Sequence, residues 1–177
     1  MSVQMKSIYL SAGHSGIDPG ATAFGRKEAD IAVEFRNIIS FYLHRANIPY
    51  EMDGVGTENL PLREAVVKAR RHPIGVEFHC NASNLPNATG VETLSAPGDL
   101  SLGSRICHAI SEGLGIRNRG AKPENAGQHH RLAFVRAGGI IVELFFITNA
   151  SDLAKYDARK WLAARNIADV LIWEASK

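Results

Sequence analysis

Three short apolar runs in this chain are each followed by a histidine or a glutamate. The runs are residues 8–10, 74–78 and 140–142, and the polar residues that follow them are His14, His79 and Glu143. Runs of this length, rich in β-branched residues and bounded by Gly or Asn, predict buried β-strands. Because the carboxyl ends of parallel strands meet along one rim of a sheet, where ligands bind, the pattern predicts that these side chains converge.

Stretches with helical periodicity separate the predicted strands. The predicted helices cover about 28–46, then 61–69, 102–114 and 161–171. Further strands are predicted at 91–94 and 132–135, and surface loops at 96–99 and 117–128. This alternation predicts an α/β fold with a mostly parallel twisted sheet of about six strands, flanked by helices on both faces.

Composition narrows the class of protein. A chain of 177 residues with 45% hydrophobic content predicts a single domain over 1–177. A net charge of +2 gives no basis for nucleic-acid binding, and two cysteines are too few for a disulfide scaffold. Neither a signal peptide nor a membrane-spanning segment is predicted, so we expect synthesis in the cytoplasm and no insertion into membranes. We also expect a monomer.

The four residues His14, Glu28, His79 and Glu143 match the needs of one zinc-dependent hydrolase. A catalytic zinc ion takes three nitrogen or oxygen ligands from the protein and leaves one position for water, and the reaction also needs an acid/base. Glu28 lies at the start of the first predicted helix, where the helix dipole favours a carboxylate whatever its role. Periodicity therefore leaves the role of Glu28 open.

Four segments, SAGHSGIDPGA, GRKEADIAVEF, EFHCNAS and VELFFITN, occur in this order along the chain. They resemble the GHGGxDPGA loop, the GxxE helix start, the SIHxNA strand end and the VELGFxTN strand of the zinc-dependent N-acetylmuramoyl-L-alanine amidases. That family is shared by bacterial autolysins and phage endolysins. The resemblance implies that His14, Glu28 and His79 hold one Zn²⁺ ion and that Glu143 is the catalytic carboxylate. The chain departs from the family pattern at Ser15, Phe78, Cys80 and Phe145.

The reaction implied by the resemblance is hydrolysis of the amide between N-acetylmuramic acid and L-alanine in peptidoglycan. Stem peptides carry carboxylates, so Arg119 and Lys122 in the predicted loop are candidate substrate contacts, as is His130. Asp18 has two interpretations, because it could hydrogen-bond a ligand imidazole or form the turn before Pro19.

The biological role implied is that of a phage endolysin that causes host cell lysis. The predicted elements leave no segment for a separate cell-wall-binding module, and the protein would be made in the host cytoplasm and act on the wall from the periplasm. The alternatives are a bacterial autolysin, another zinc peptidoglycan peptidase or carboxypeptidase, and a non-catalytic peptidoglycan-binding module. A serine hydrolase is disfavoured, since GHSG at Gly13 lacks the GxSxG spacing.

Overall fold

The computed structural model describes residues 4–14, 17–126 and 132–177. In order along these parts of the chain, the elements are β1 (Ile8–Ala12), β2 (Thr22–Ala23), β3 (Arg26–Lys27), α1 (Glu28–Arg45), β4 (Tyr50–Met52), α2 (Leu62–Ala69), β5 (Ile74–Asn81), β6 (Val91–Ser95), α3 (Leu100–Leu114), β7 (Asn118–Pro123), α4 (Ala133–Arg136), β8 (Gly139–Phe146) and α5 (Ala150–Ala175). Short 3₁₀ turns lie at Pro97–Asp99 and Glu124–Ala126.

The main sheet has six strands in the order β4-β1-β5-β8-β6-β7. All neighbouring pairs are parallel except β6 and β8, which are antiparallel. Helices α1, α3 and α5 cover one face, and the shorter α2 and α4 lie on the other. The predicted mostly parallel sheet of about six strands with helices on both faces is confirmed.

The larger hydrophobic core lies between the sheet and the three long helices. Phe35 of α1, Phe78 of β5 and Tyr156 of α5 are each wholly buried there. A smaller cluster on the opposite face joins Tyr9, Leu94, Phe134, Val135 and Ile141. Both faces of the central strands are therefore buried, which explains why those strands are continuous apolar runs rather than alternating ones.

The prediction of a strand over 132–135 is wrong, because this segment forms the one-turn helix α4. A short apolar run has no period that separates a strand from a helix. The local packing favours the helix: Gly75 and Gly139 are register partners on adjacent strands, and the Phe134 ring lies over them. A Cβ at Gly139 would lie 2.2 Å from Phe134 Cε1, so this pair of glycines creates the space that the ring fills.

The predicted surface loop over 117–128 contains strand β7 at the edge of the sheet, so that prediction is also wrong in part. The strand contains Gly120 at φ 83°, a backbone conformation that glycine adopts without strain. The register against β6 shifts here: Val91 pairs with Asn118 and Thr93 with Ala121, so β7 has one extra residue. The polar, glycine-containing sequence of an irregular edge strand resembles that of a loop.

Helices α1 and α3 follow their predicted limits closely, whereas α5 spans Ala150–Ala175 and is much longer than the predicted 161–171. Helix α1 ends at Arg45, one residue before the predicted end, and α3 is terminated by Gly115 in the left-handed conformation at φ 71°. Among the described residues, no helix is long and apolar enough to cross a bilayer.

Candidate active site

The carboxyl ends of β1, β5 and β8 lie side by side at one rim of the sheet, as predicted. They open into a cleft of about 920 Å³. His14 follows β1, Glu28 begins α1, His79 is near the end of β5 and Glu143 is in β8, and all four line this cleft. His79 and Glu143 are direct register partners, so the pairing of β5 with β8 sets their separation.

Glu28 lies between the two histidines. Its Oε1 atom is 2.9 Å from His14 Nε2 and 3.0 Å from His79 Nδ1. One ligand atom from each of the three residues lies within 4.8 Å of the others. Two imidazole nitrogens and one carboxylate oxygen facing a common point are the donor set that a catalytic zinc ion takes, so these residues fit the metal that the resemblance implies.

Two glycines make this close approach possible. A Cβ at Gly13 would lie 2.2 Å from His79 Cε1, and a Cβ at Gly20 would lie 2.6 Å from His14 Cδ2. Gly20 also has φ 64°, which favours glycine on its own. The Gly-rich composition of the loop after β1 is therefore a packing requirement of the two imidazoles.

The charges of the cluster support one another. Burial alone raises the pKa of the Glu28 carboxyl, but hydrogen bonds to His14 and His79 outweigh burial and hold that pKa well below its usual range. The same carboxylate raises the pKa of His14, mainly through their hydrogen bond. His79 is desolvated, which lowers its pKa, yet its hydrogen bonds to Glu28 and Glu77 raise the pKa well above the ordinary value. The carboxylate and the two imidazoles thus shift one another's pKa values in the directions that favour a positive charge beside Glu28.

Asp18 makes both contacts that the sequence left as alternatives. Its Oδ2 is 3.1 Å from His14 Nδ1, and its Oδ1 accepts a hydrogen bond of 3.1 Å from the Gly20 N–H. The Asp18 carboxylate therefore has both roles: one oxygen orients the His14 imidazole and the other closes the turn.

Glu143 differs from Glu28 because one oxygen of its carboxylate lacks a hydrogen-bond partner among the described residues. That oxygen is Oε2, which is buried. Burial raises the pKa of Glu143 from 4.5 to about 7, and the negative charges of Glu28 and Glu92 add to this effect. A carboxylate with a pKa near neutrality that faces a cleft is suited to accept and return a proton.

Arg119 and Lys122 lie at the cleft, both bound to one carboxylate. Glu92 Oε2 accepts hydrogen bonds from Arg119 Nε at 2.5 Å and Lys122 Nζ at 2.6 Å. The extra residue in β7 lets both side chains face Glu92, although simple alternation places residues three apart on opposite faces. The Arg119 guanidinium also lies 5.0 Å from the centre of the Phe146 ring. His130, the third predicted substrate contact, lies outside the described residues.

Two of the residues that depart from the family pattern, Cys80 and Phe145, lie in the larger hydrophobic core. Cys80 is buried in the larger core, and only its backbone N–H reaches the site, where it donates to Glu28 Oε1 at 3.0 Å. Phe145 is also in that core, 4.9 Å from Tyr156 between ring centroids. Neither side chain belongs to the group of His14, Glu28 and His79 that could hold a metal ion.

Sequence reasoning missed the contact of Glu77 with His79. Glu77 Oε1 lies 3.2 Å from His79 Nε2 on the same strand. Strand alternation carries the signal, because residues two apart point to the same face.

The fold and the cleft together define a class. An α/β sheet whose rim brings together a possible His, Glu, His metal-binding group and a buried carboxylate has the architecture of a hydrolase. Residues 8–172 match the sequence profile of the N-acetylmuramoyl-L-alanine amidase family, and the chain belongs to that family.

Individual relatives agree with this membership. A crystal structure of a Neisseria meningitidis protein assigned to the N-acetylmuramoyl-L-alanine amidases is 42% identical, with a TM-score of 0.88 over 96% of this chain and 95% of that one. The N-acetylmuramoyl-L-alanine amidase LytC of Bacillus subtilis (strain 168) is 25% identical over 85% of this chain and 31% of its own length. The amidase AmiC2 of Nostoc punctiforme, 20% identical, shares the fold with a TM-score of 0.85 over 97% of this chain and 98% of that one.

Proposed function

We propose that this protein is a zinc-dependent N-acetylmuramoyl-L-alanine amidase, which hydrolyses the amide between N-acetylmuramic acid and L-alanine in peptidoglycan. The observation that carries the proposal is the convergence of His14, Glu28 and His79 beside Glu143 in one cleft of a member of this family. His14 Nε2, Glu28 Oε1 and His79 Nδ1 would hold the ion. When bound, zinc supplies Lewis acidity that acidifies water and polarises a carbonyl.

The proton steps fall to Glu143. Its ionised carboxylate accepts the proton of the attacking water, and the same carboxyl then donates that proton to the departing amine nitrogen of L-alanine. The buried, unpartnered Oε2 suits both steps, since no hydrogen bond from a described residue holds it in one protonation state.

Arg119 and Lys122 are proposed to attract the carboxylates of the stem peptide. Burial raises the pKa of Glu92, but hydrogen bonds from Lys122 and Arg119 outweigh burial and hold that pKa below its usual range. One carboxylate between two cations leaves an excess positive charge at the cleft wall. Replacing both cations with methionine is expected to raise KM for peptidoglycan more than it lowers kcat, and unchanged turnover would dismiss the idea.

The direct test is digestion of purified peptidoglycan with and without a chelator. An amidase releases peptides with a new L-alanine amino terminus and leaves the glycan intact, whereas a peptidase or carboxypeptidase exposes other ends. A chelator should stop the reaction and added zinc should restore it. New end groups other than an L-alanine amino terminus, or turnover that continues in the presence of the chelator, would contradict the proposal.

The catalytic variant is Glu143→Gln, with Glu112→Gln on exposed helix surface as its matched control. Loss of the general base should lower turnover by about 10²–10⁴-fold. Zinc content should be unchanged, because Glu143 is not among the proposed ligands. A non-catalytic peptidoglycan-binding module would show no turnover in the parent protein, and an active Glu143→Gln variant would contradict the mechanism.

The role in phage lysis stays a prediction, together with synthesis in a host cytoplasm, action at the wall and a monomeric state. Known structures with this fold include the catalytic domain of an endolysin as well as amidases of bacteria, so the fold does not separate lysis by a phage from wall turnover by an autolysin. Expression of the chain in a Gram-negative host, with and without a membrane-permeabilising protein, tests the endolysin role. Lysis that requires the permeabilising protein supports it.

A further inference from the structure

Glu77 is a buried carboxylate that the proposed reaction does not use. It is 3% exposed, and its Oε1 lies 3.2 Å from His79 Nε2. The other ring nitrogen, Nδ1, faces Glu28 Oε1 at 3.0 Å. The His79 ring is thus held between two carboxylates, one on the metal side and one behind it.

A buried polar network holds Glu77 in this position. The Ser11 hydroxyl lies 3.0 Å from Glu77 Oε2 and 3.2 Å from Asp53 Oδ2. A hydroxyl has one proton, and the shorter contact assigns it to Glu77. Asp53 is satisfied without it, because it accepts the Ala12 N–H at 2.9 Å and pairs with the Arg36 guanidinium.

Strand β1 connects the rear carboxylate of Glu77 to helix α1, which also supplies Glu28. Ser11 of β1 donates to Glu77, and the N–H of the next residue, Ala12, donates to Asp53, the partner of Arg36. Arg36 belongs to that helix, and both Arg36 and Asp53 have wholly buried side chains. Buried charges are costly unless they are paired and hydrogen-bonded, and the remaining Arg36 donors reach Asn37 Oδ1 and the Gly56 carbonyl. Helix α1 therefore supplies Glu28 directly and, through Arg36, Asp53 and strand β1, anchors the carboxylate that contacts His79.

We propose that Glu77 is a positioning residue for His79. By accepting the hydrogen bond from Nε2–H, it holds the ring in the orientation that points Nδ1 at the metal site. The inference rests on the proposed function, since it takes His79 as a zinc ligand. Metal-binding histidines commonly donate their second N–H to a carboxylate, and loss of such a partner lowers metal affinity by about 10–100-fold.

The test compares the zinc affinity of the parent, Glu77→Ser, Glu77→Gln and Glu51→Gln by competition with a chromophoric chelator. Glu77→Ser shortens the side chain so that it does not reach His79 Nε2. Its affinity should fall by about 10–100-fold. Glu77→Gln should lose less, because an amide oxygen still accepts from Nε2–H and its NH₂ donates to the Ser11 hydroxyl. Glu51 contacts His72 Nε2 at 3.1 Å outside the cleft, so Glu51→Gln is the matched control and should bind zinc like the parent.

A second measurement separates positioning from a general effect on folding. In the zinc-loaded parent, NMR of ¹⁵N-labelled protein should show a His79 Nε2–H proton protected from exchange. Glu77→Gln should keep that signal and Glu77→Ser should lose it.

Four outcomes are decisive. Equal zinc affinity of Glu77→Ser and the parent overturns the inference and leaves the proposed function standing. Equal losses in Glu77→Gln and Glu77→Ser overturn it as well, because they assign the effect to charge alone. An unprotected Nε2–H in the parent has the same consequence. A parent that binds no zinc contradicts the proposed function and this inference together.

Discussion

Phe145→Ala should destabilise the protein without altering its cleft. The Phe145 side chain is wholly buried, and its ring stacks on Tyr156 at 4.9 Å with an interplanar angle of 27°. Truncation of a buried phenylalanine to alanine removes transfer energy and leaves a cavity, which together cost about 3–5 kcal/mol. The lost aromatic pair accounts for about 0.5–1.5 kcal/mol of that total.

The assay combines urea denaturation of the variant with peptidoglycan turnover per folded molecule at low temperature. Phe145→Leu is the graded control, since leucine refills part of the cavity and should lose less stability. Phe146→Leu is the positional control, because Phe146 lines the cleft beneath Arg119 and its replacement should change turnover. A loss of less than about 1 kcal/mol in Phe145→Ala, with impaired turnover of the folded variant, would refute the reasoning and place the ring in the cleft.

Three further predictions concern the site and its support. Because the pKa of Glu143 is raised from 4.5 to about 7, the native protein holds that proton more tightly than the unfolded chain. The metal-free parent should therefore lose up to about 3 kcal/mol of unfolding free energy as the pH rises from 4.5 to about 7, whereas Glu143→Gln should not. Chemical denaturation of both proteins at the two ends of this pH range measures the difference. Arg36→Met leaves Asp53 unpaired in the interior and should cost about 3–5 kcal/mol in the same assay, most of which the double variant Arg36→Met with Asp53→Leu should recover. Gly13→Ala forces the His79 imidazole to move and should lower zinc affinity on the order of 10-fold or more, measured by chelator competition.

Each of these predictions has an outcome that contradicts it. Parallel pH profiles of the parent and Glu143→Gln would mean that the buried carboxyl has an ordinary pKa. A double variant as unstable as Arg36→Met alone would show that the unpaired charge is not the cause of the loss. Zinc binding by Gly13→Ala at parental affinity would show that the two imidazoles do not need the space that the glycine leaves.

The sequence was sufficient to predict most of the fold, because its signals there are local. Helix α1 was predicted to within one residue from its apolar spacing, and the central strands were predicted as buried apolar runs. Two failures were at segments whose structure depends on distant residues, whereas the missed first turns of α5 follow a local signal, the Asn149 side chain that accepts from the Ser151 and Asp152 N–H groups. The helix over 133–136 forms where Phe134 meets two glycines of other strands, and the edge strand β7 has the polar composition of a loop.

The role of Glu28 shows the same division. Helical periodicity placed it at the start of α1, where the helix dipole alone accounts for a carboxylate. Only the packing of α1 against the ends of β1 and β5 brings its Oε1 within 3.0 Å of both imidazoles. The position of Glu28 on the helix could be predicted from neighbouring residues, whereas its contacts depend on residues that are distant in sequence.

The amino-acid sequence alone predicts that His14, His79 and Glu143 lie at one rim, because parallel strands end on the same side of a sheet. The directions of the neighbouring side chains depend on how the strands pair with one another. Between the pairs His79–Glu143 and Asn81–Phe146, strand β8 has one residue more than β5, so Phe145 turns into the core. The extra residue in β7 likewise turns Arg119 and Lys122 together toward Glu92. The period of two is a property of one strand, but a bulge is set by the pairing between strands.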